Sequence, residues 1–370
     1  MFKWLLLPLV EHQSFFNIFQ YITFRTAYSI ITALLISFIA GPAVIKWLHR
    51  IKFGQSIRSD GPASHLSKQG TPTMGGALMI LSVVVSTLLW QDLTSFYTWL
   101  FIIALLAFGT LGFIDDYLKI KKANSDGISS KVKSLGQITI SLIIVLVLMW
   151  HNGFFAGNSF QSLLFVPILK EAVANLHYLY IPFAVFIMVG VSNATNLTDG
   201  LDGLLTGLLL FAFATFALIA YVSGHAIFAG YLLIPFIPGA SELAIPIAAV
   251  CGACLGFLWY NGHKAEVFMG DTGSLAFGGV LGLLAIMLKK ELLLIIIGGV
   301  FVLETLSVII QTVYFKYTKK RYGEGKRVFK MAPLHHHYEK LGWSETKIVT
   351  RFWIIGIMFT LIALSTLKIN

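Results

Sequence analysis

Residues 201–222, LDGLLTGLLLFAFATFALIAYV, carry one charged side chain, Asp202, near their start and none after it. A helix rising 1.5 Å per residue needs about 20 mostly apolar residues to cross a hydrocarbon core of about 30 Å. This run is long enough to span. It is too long and too continuous for a barrel strand of about ten alternating residues, and a lone segment in lipid must satisfy its own backbone, so it reads as a transmembrane helix. The same pattern recurs near 22–45, 74–90, 97–115, 134–151, 176–193, 241–260, 273–288, 292–315 and 349–367. The second and eighth spans are short, and the Gly-rich eighth predicts close packing through small residues.

Composition agrees. Of 370 residues, 57% are hydrophobic and 12% charged, against about 25% charged in a soluble domain. An ordinary soluble enzyme, a disordered chain and a disulfide-stapled module with only two cysteines are excluded. No repeat or long linker divides the sequence. Residues 1–370 therefore read as a single polytopic membrane domain: an all-α integral membrane protein, a bundle of about ten transmembrane helices with polar loops near 46–73, 116–133, 193–203, 261–274 and 316–348. The first twenty residues hold Glu11, His12 and Gln13 with no small-residue cleavage site, and read as an interfacial helix, not a signal peptide.

The formal charge is +10, from 27 basic and 17 acidic residues. Lysine and arginine crowd the loops 46–73 and 117–133 and the segment 316–351. The positive-inside rule makes that face cytoplasmic and both termini periplasmic. Lys289 and Lys290 stand on the opposite face, against the rule. A basic membrane surface suits anionic headgroups and phosphate-bearing substrates, not nucleic acid.

Carboxylates cluster on the same face. Asp115 and Asp116 end the third span in GFIDDYLKIKK. Adjacent carboxylates near hydrocarbon resist ionising together and call for a cation, a metal or a lysine; a solvated helix end balanced by Lys119 explains the pair equally well. The segment 193–203, NATNLTDGLDG, reads as a short loop with Asn193, Asn196, Asp199 and Asp202, more polar groups than a chain reversal needs. In 261–274, NGHKAEVFMGDTGS, Asp271 precedes Thr-Gly-Ser at a helix start, so a carboxylate, a hydroxyl and helix-start N–H groups converge. A plain helix cap is the alternative. Phe268 could stack on a flat base or anchor at the interface. In 331–340, MAPLHHHYEK, three successive histidines diverge by about 100° each on a helix and cannot all ligate one ion; phosphate or sugar recognition fits them better. Cys251 and Cys254 have redox-motif spacing but fall inside the seventh span and read as small packing residues. Glu304, inside the ninth span, must face a polar cavity or a partner.

Carboxylates with basic loops at one membrane face suit an enzyme acting on a lipid phosphate and a soluble phosphate-bearing partner. Mg²⁺ prefers carboxylate oxygens plus substrate phosphates. A transporter, the alternative class, would place its charges near the bilayer midplane.

GTPTMGG (70–76), DDYLK (115–119), NATNLTDGLDG, the 261–274 loop with FMGDTGS, and APLHHHYE (332–339) together resemble the motif set of the phospho-N-acetylmuramoyl-pentapeptide transferase family of peptidoglycan synthesis. The resemblance runs in order from about residue 46 to 353. It implies transfer of phospho-N-acetylmuramoyl-pentapeptide from UDP-N-acetylmuramoyl-pentapeptide to undecaprenyl phosphate, giving lipid I and UMP at the bacterial cytoplasmic membrane, with Mg²⁺ as cofactor. It implies that Asp271 is the metal-binding carboxylate and Asp115 and Asp116 the catalytic pair, Asp115 being the base toward the lipid phosphate. Asp199, Asn196 and Asn261 then line the nucleotide site, with Asp202 and Phe268 around uracil. Lys68, Thr73, Lys119 and Lys131 match polar groups of the same cleft, and His335, His336 and His337 match the family's histidine motif. A homodimer is expected on the same ground. The runner-up is a related transferase of another UDP-N-acetylhexosamine.

Overall fold

The computed structural model describes residues 1–50, 70–121, 127–167, 169 and 172–368. Lys68 lies outside them. The helices are α1 (Phe2–Leu6), α2 (Ile22–Arg50), α3 (Gly76–Trp90), α4 (Phe96–Lys121), α5 (Ser130–His151), α6 (Tyr180–Thr198), α7 (Leu204–Ser223), α8 (Ala226–Leu232), α9 (Ala244–Asn261), α10 (Gly270–Met287), α11 (Leu293–Ile297), α12 (Gly299–Tyr322), α13 (Leu334–Lys340) and α14 (Glu345–Ser365). Among the described residues nine helices are long and apolar enough to cross a membrane, and α3, of 15 residues, is a shorter apolar helix. The chain is an all-α membrane bundle, with one two-stranded hairpin, β1 (Leu163–Phe165) against β2 (Ala172–Asn175).

Several elements differ from the sequence reading, and α2, α4 and α12 run on past their expected ends to Arg50, Lys121 and Tyr322. α6 runs on through Asn193 and Asn196 to Thr198, so only 199–203 forms the turn expected over 193–203. Its polar residues stay helical because neighbours satisfy them: Asn193 Nδ2 donates to Gln137 Oε1 at 3.0 Å and to Val189 O at 2.8 Å. The ninth span, expected as one helix, breaks at Gly298 into α11 and α12. The first twenty residues form α1 and two 3₁₀ stretches, not one interfacial helix. Phe2 packs edge-on against Trp90 at 4.9 Å. The hairpin was not foreseen; residues 159–175 carry Pro167 and only short apolar runs, too broken for a helix.

At the centre, α10 packs between α4 and α6, while α9 is held by α2, α3 and α7. Nearly every side chain of α10 is buried, which the small-residue pattern predicts. Outward faces of α2, α5, α12 and α14 are lined with exposed leucine, isoleucine and valine, as lipid contact requires. Cys251 and Cys254 are buried free thiols on α9, in keeping with packing.

Candidate active site at one end of the bundle

α10 begins against the last turns of α4, which runs on to Lys121. Gly112 permits the approach: a Cβ there would lie 2.1 Å from the Asp271 carbonyl oxygen. One turn on, Asp116 is buried against the start of α10, its Oδ1 accepting from Asp271 N at 3.2 Å and its Oδ2 from Thr272 N at 2.9 Å and Thr272 Oγ1 at 2.8 Å. α10 has no capping side chain of its own, so Asp116 caps it from another helix and satisfies its first N–H groups. Gly270 has φ +74°, and a Cβ on it would lie 2.6 Å from Thr73 Oγ1 and 2.7 Å from Asp116 Oδ2. Glycine alone fits this junction, which also brings Thr73 to the site.

Asp115, buried, and Asp271, nearly so, share the same pair of cations. Two ammonium groups converge on them. Asp271 Oδ2 accepts from Lys119 Nζ at 2.9 Å and Lys133 Nζ at 2.6 Å, and Asp115 Oδ2 is 2.7 Å from Lys119 Nζ and 3.6 Å from Lys133 Nζ. Asp115 Oδ1 accepts from Ile128 N at 2.7 Å. Asn196, from the last turn of α6, donates to Asp271 Oδ1 at 2.7 Å and Ser274 Oγ at 2.9 Å. Next to it, burial and then the charges of Asp271 and Asp116 push the Asp199 carboxyl up to about 8, so it holds a proton at neutral pH. The junction thus offers hard oxygen donors of the kind that hold a divalent cation, with two ammonium groups on one oxygen of Asp271.

The turn 199–203 joins this cluster to two others. Asp202 Oδ2 accepts from Ala265 N at 3.1 Å and lies 3.7 Å from His263 Nδ1, while Asp202 N donates to Glu345 Oε1 at 2.7 Å. Asn261 is buried between Thr206 and Val267, accepting from Thr206 Oγ1 at 2.8 Å and donating to Val267 O at 2.9 Å. Its place is to fix the 262–269 loop. Phe268 pairs its backbone with Pro72 and Gly75 at 2.8 Å each, seating the 70–76 segment on the same loop.

On the other side of the turn, His335 is fully buried against Gly200, where a Cβ would lie 2.2 Å from its Nε2. Glu304 on α12 is its partner: Oε1 lies 3.2 Å from His335 Nδ1 and accepts from His335 N at 3.2 Å. The buried acid inside the ninth span therefore serves the histidine segment. His336 Nδ1 is 2.7 Å from Glu339 Oε2, and His337 Nδ1 accepts from Lys330 N at 3.1 Å. Three histidines on α13 have three separate partners, as successive helix positions dictate.

The chain matches the family described as glycosyl transferase family 4 over residues 98–289. It is 52% identical over 367 residues to the phospho-N-acetylmuramoyl-pentapeptide-transferase of Rickettsia prowazekii, covering 99% of each chain. The chain belongs to the phospho-N-acetylmuramoyl-pentapeptide-transferase family. Transferases of that name from Syntrophus aciditrophicus and Desulfosudis oleivorans are 51% and 50% identical over 366 residues, again covering 99% of each chain.

In this transferase, Asp115, Asp116, Lys119, Asn196, Asp199, Asp271 and Thr73 gather at the α4–α10 junction. Asp202, Asn261 and Phe268 stand around the 262–269 loop, and His335 joins through Gly200. Lys131 is exposed, whereas Lys133 reaches Asp271. Lys133 was missed, although a signal existed: Lys133, Gln137 and Ser141 recur at i, i+4 on one face of α5, and the latter two are buried. Glu345 also enters, through a contact that no local spacing announces, while Thr272, Ser274 and Glu304, already notable in the sequence, find their partners here.

Proposed function

We propose that the chain transfers phospho-N-acetylmuramoyl-pentapeptide from UDP-N-acetylmuramoyl-pentapeptide to undecaprenyl phosphate, forming lipid I and releasing UMP. The observation that carries this reading is the convergence of Asp115 and Asp271 on Lys119 and Lys133 at one end of a membrane bundle. Paired cations of this kind neutralise a pyrophosphate, and carboxylates beside them can take a proton. Family membership supports the substrates. The same reading makes residues 1–370 one polytopic domain of the bacterial inner membrane, with its site facing the cytoplasm and a homodimer as its assembly.

Asp271, with Asp115 beside it, would hold Mg²⁺, which supplies charge neutralisation on the phosphates. Asp115 takes the last proton of the lipid phosphate. A lipid phosphate oxygen then forms a bond to the sugar-bearing phosphorus, and the bond from that phosphorus to the UMP oxygen breaks in line. Lys119 and Lys133 hold the phosphate charge, joined by Lys68 and Lys131 as candidates. Asn196 and protonated Asp199 orient the nucleotide side, Thr73 holds the junction, Asp202, Asn261 and Phe268 form the uracil end, and His335, His336 and His337 recognise phosphate or sugar. We prefer direct attack because a phosphate is already an anionic nucleophile; a phosphosugar–enzyme adduct trapped with the nucleotide substrate alone would refute it.

The decisive assay is UMP release from UDP-N-acetylmuramoyl-pentapeptide with and without undecaprenyl phosphate. Release only when both are present is expected. Turnover with UDP-N-acetylglucosamine in place of the muramoyl substrate would favour the related transferase.

A further inference from the structure

At the end of the bundle away from the carboxylates, the loop between α10 and α11 buries three consecutive ionisable residues. Lys289, Lys290 and Glu291 are 1%, 8% and 2% exposed. Lys289 is fully partnered: its Nζ lies 3.0 Å from Glu291 Oε1, donates to Gln161 O at 3.0 Å and sits 4.0 Å from the centre of the Tyr180 ring. Tyr180 donates its hydroxyl to the same Glu291 oxygen. Glu291 Oε1 is thereby engaged while its buried Oε2 has no hydrogen-bond partner, and among the described residues the Lys290 ammonium makes no hydrogen bond. Burial pushes Lys290 down to about 8, with Glu291 only partly offsetting it. Among the described residues, two buried cations share one anion here.

Both lysines line a cavity of about 50 Å³, walled by the end of β1, the segment Leu232–Pro235, Leu293 and Leu367. One water needs about 10–15 Å³ of such space, so the cavity admits a group the size of a phosphate. The other described lining residues are apolar in type except Thr366, and Leu233 on the rim is 43% exposed. A free phosphate gains nothing from such a rim; an amphiphile does.

We propose that this cavity binds the phosphate head group of an anionic phospholipid, with Lys290 as its counter-ion and the apolar rim receiving the first carbons of its chains. The site also accounts for two lysines on the face where the positive-inside rule disfavours them: one is neutralised within the protein and the other awaits a lipid anion.

The test is native mass spectrometry of the full chain purified in detergent. It would be titrated with phosphatidylglycerol or with phosphatidylcholine of the same chains, and in a separate arm with phosphatidylglycerol plus millimolar inorganic phosphate. The wild type is expected to retain phosphatidylglycerol about tenfold better, Lys290→Met to lose that preference, and Lys290→Arg to keep it within about twofold. UMP release should be unchanged in both variants. Equal retention of the two lipids, or undiminished phosphatidylglycerol binding by Lys290→Met, would overturn the proposal. Displacement by inorganic phosphate would assign the cavity to a free anion and overturn the lipid. If Lys290→Met does not fold, Leu367→Trp fills the cavity while keeping the lysine; the same loss is expected, and full retention would count against the site.

Discussion

The two ends of the bundle handle buried charge in opposite ways. At the far end two pairs stand out: Arg25, fully buried, grips Glu242 through two hydrogen bonds of 2.9 and 2.6 Å, and Lys3 holds Asp92 at 2.6 Å. At the near end four carboxyls, Asp115, Asp116, Asp199 and Asp271, gather around Lys119 and Lys133. Matched pairs fasten helices together. An unmatched cluster holds charge ready for a ligand, and its excess of acid asks for cations while the phosphates it meets ask for lysines.

This contrast can be broken from either end. The largest effect is expected from Asp271→Asn, which should lower UMP release by about a thousandfold or more while elution and melting in detergent stay normal; near-normal turnover would remove the metal role. Next, Lys133→Met should cost about a hundredfold in kcat, whereas Lys131→Met should stay within about threefold. Equal effects would mean that proximity to Asp271 is not what matters. At the far end, Glu242→Gln leaves Arg25 buried without its charge partner and should destabilise by about 3 kcal/mol, read as a lower Tm with activity per folded molecule unchanged. The smallest effect concerns Asp92. Burial opposes its ionisation, but the Lys3 ammonium and Thr94 hold it down to about 2 from 3.8. Its contribution is therefore present above pH 3.8 and lost as the pH falls towards 2. Asp92→Asn should cost about 1 kcal/mol at pH 6, less on melting near pH 3.

The spans were legible because lipid leaves a long apolar run one option. The site was legible in part. Asp115, Asp199, Asp202 and Asp271 stand out because carboxylates are scarce in so apolar a chain. The turn was placed too early because Asn193 and Asn196 read as loop residues, while their partners, Gln137 and Asp271, lie far away in sequence. Lys131 and Lys133 were both visible, but choosing between them required the buried stripe of α5. The Glu304–His335 pair joins positions 31 apart and the Asp116 cap on Thr272 positions 156 apart. Nothing in local spacing encodes such contacts; helix packing does.

The cap that Asp116 places on α10 bears on how mutants of this enzyme will be interpreted. Asp115, Asp116 and Asp271 would score alike in any screen that counts only lost activity. Yet removing the Asp116 carboxylate should unfasten the first turn of α10 and move Asp271 with it, whereas in the proposed reaction changing Asp115 alters a reacting group in place. Measuring melting and nucleotide affinity beside turnover would separate the residue that builds the site from the residues that use it.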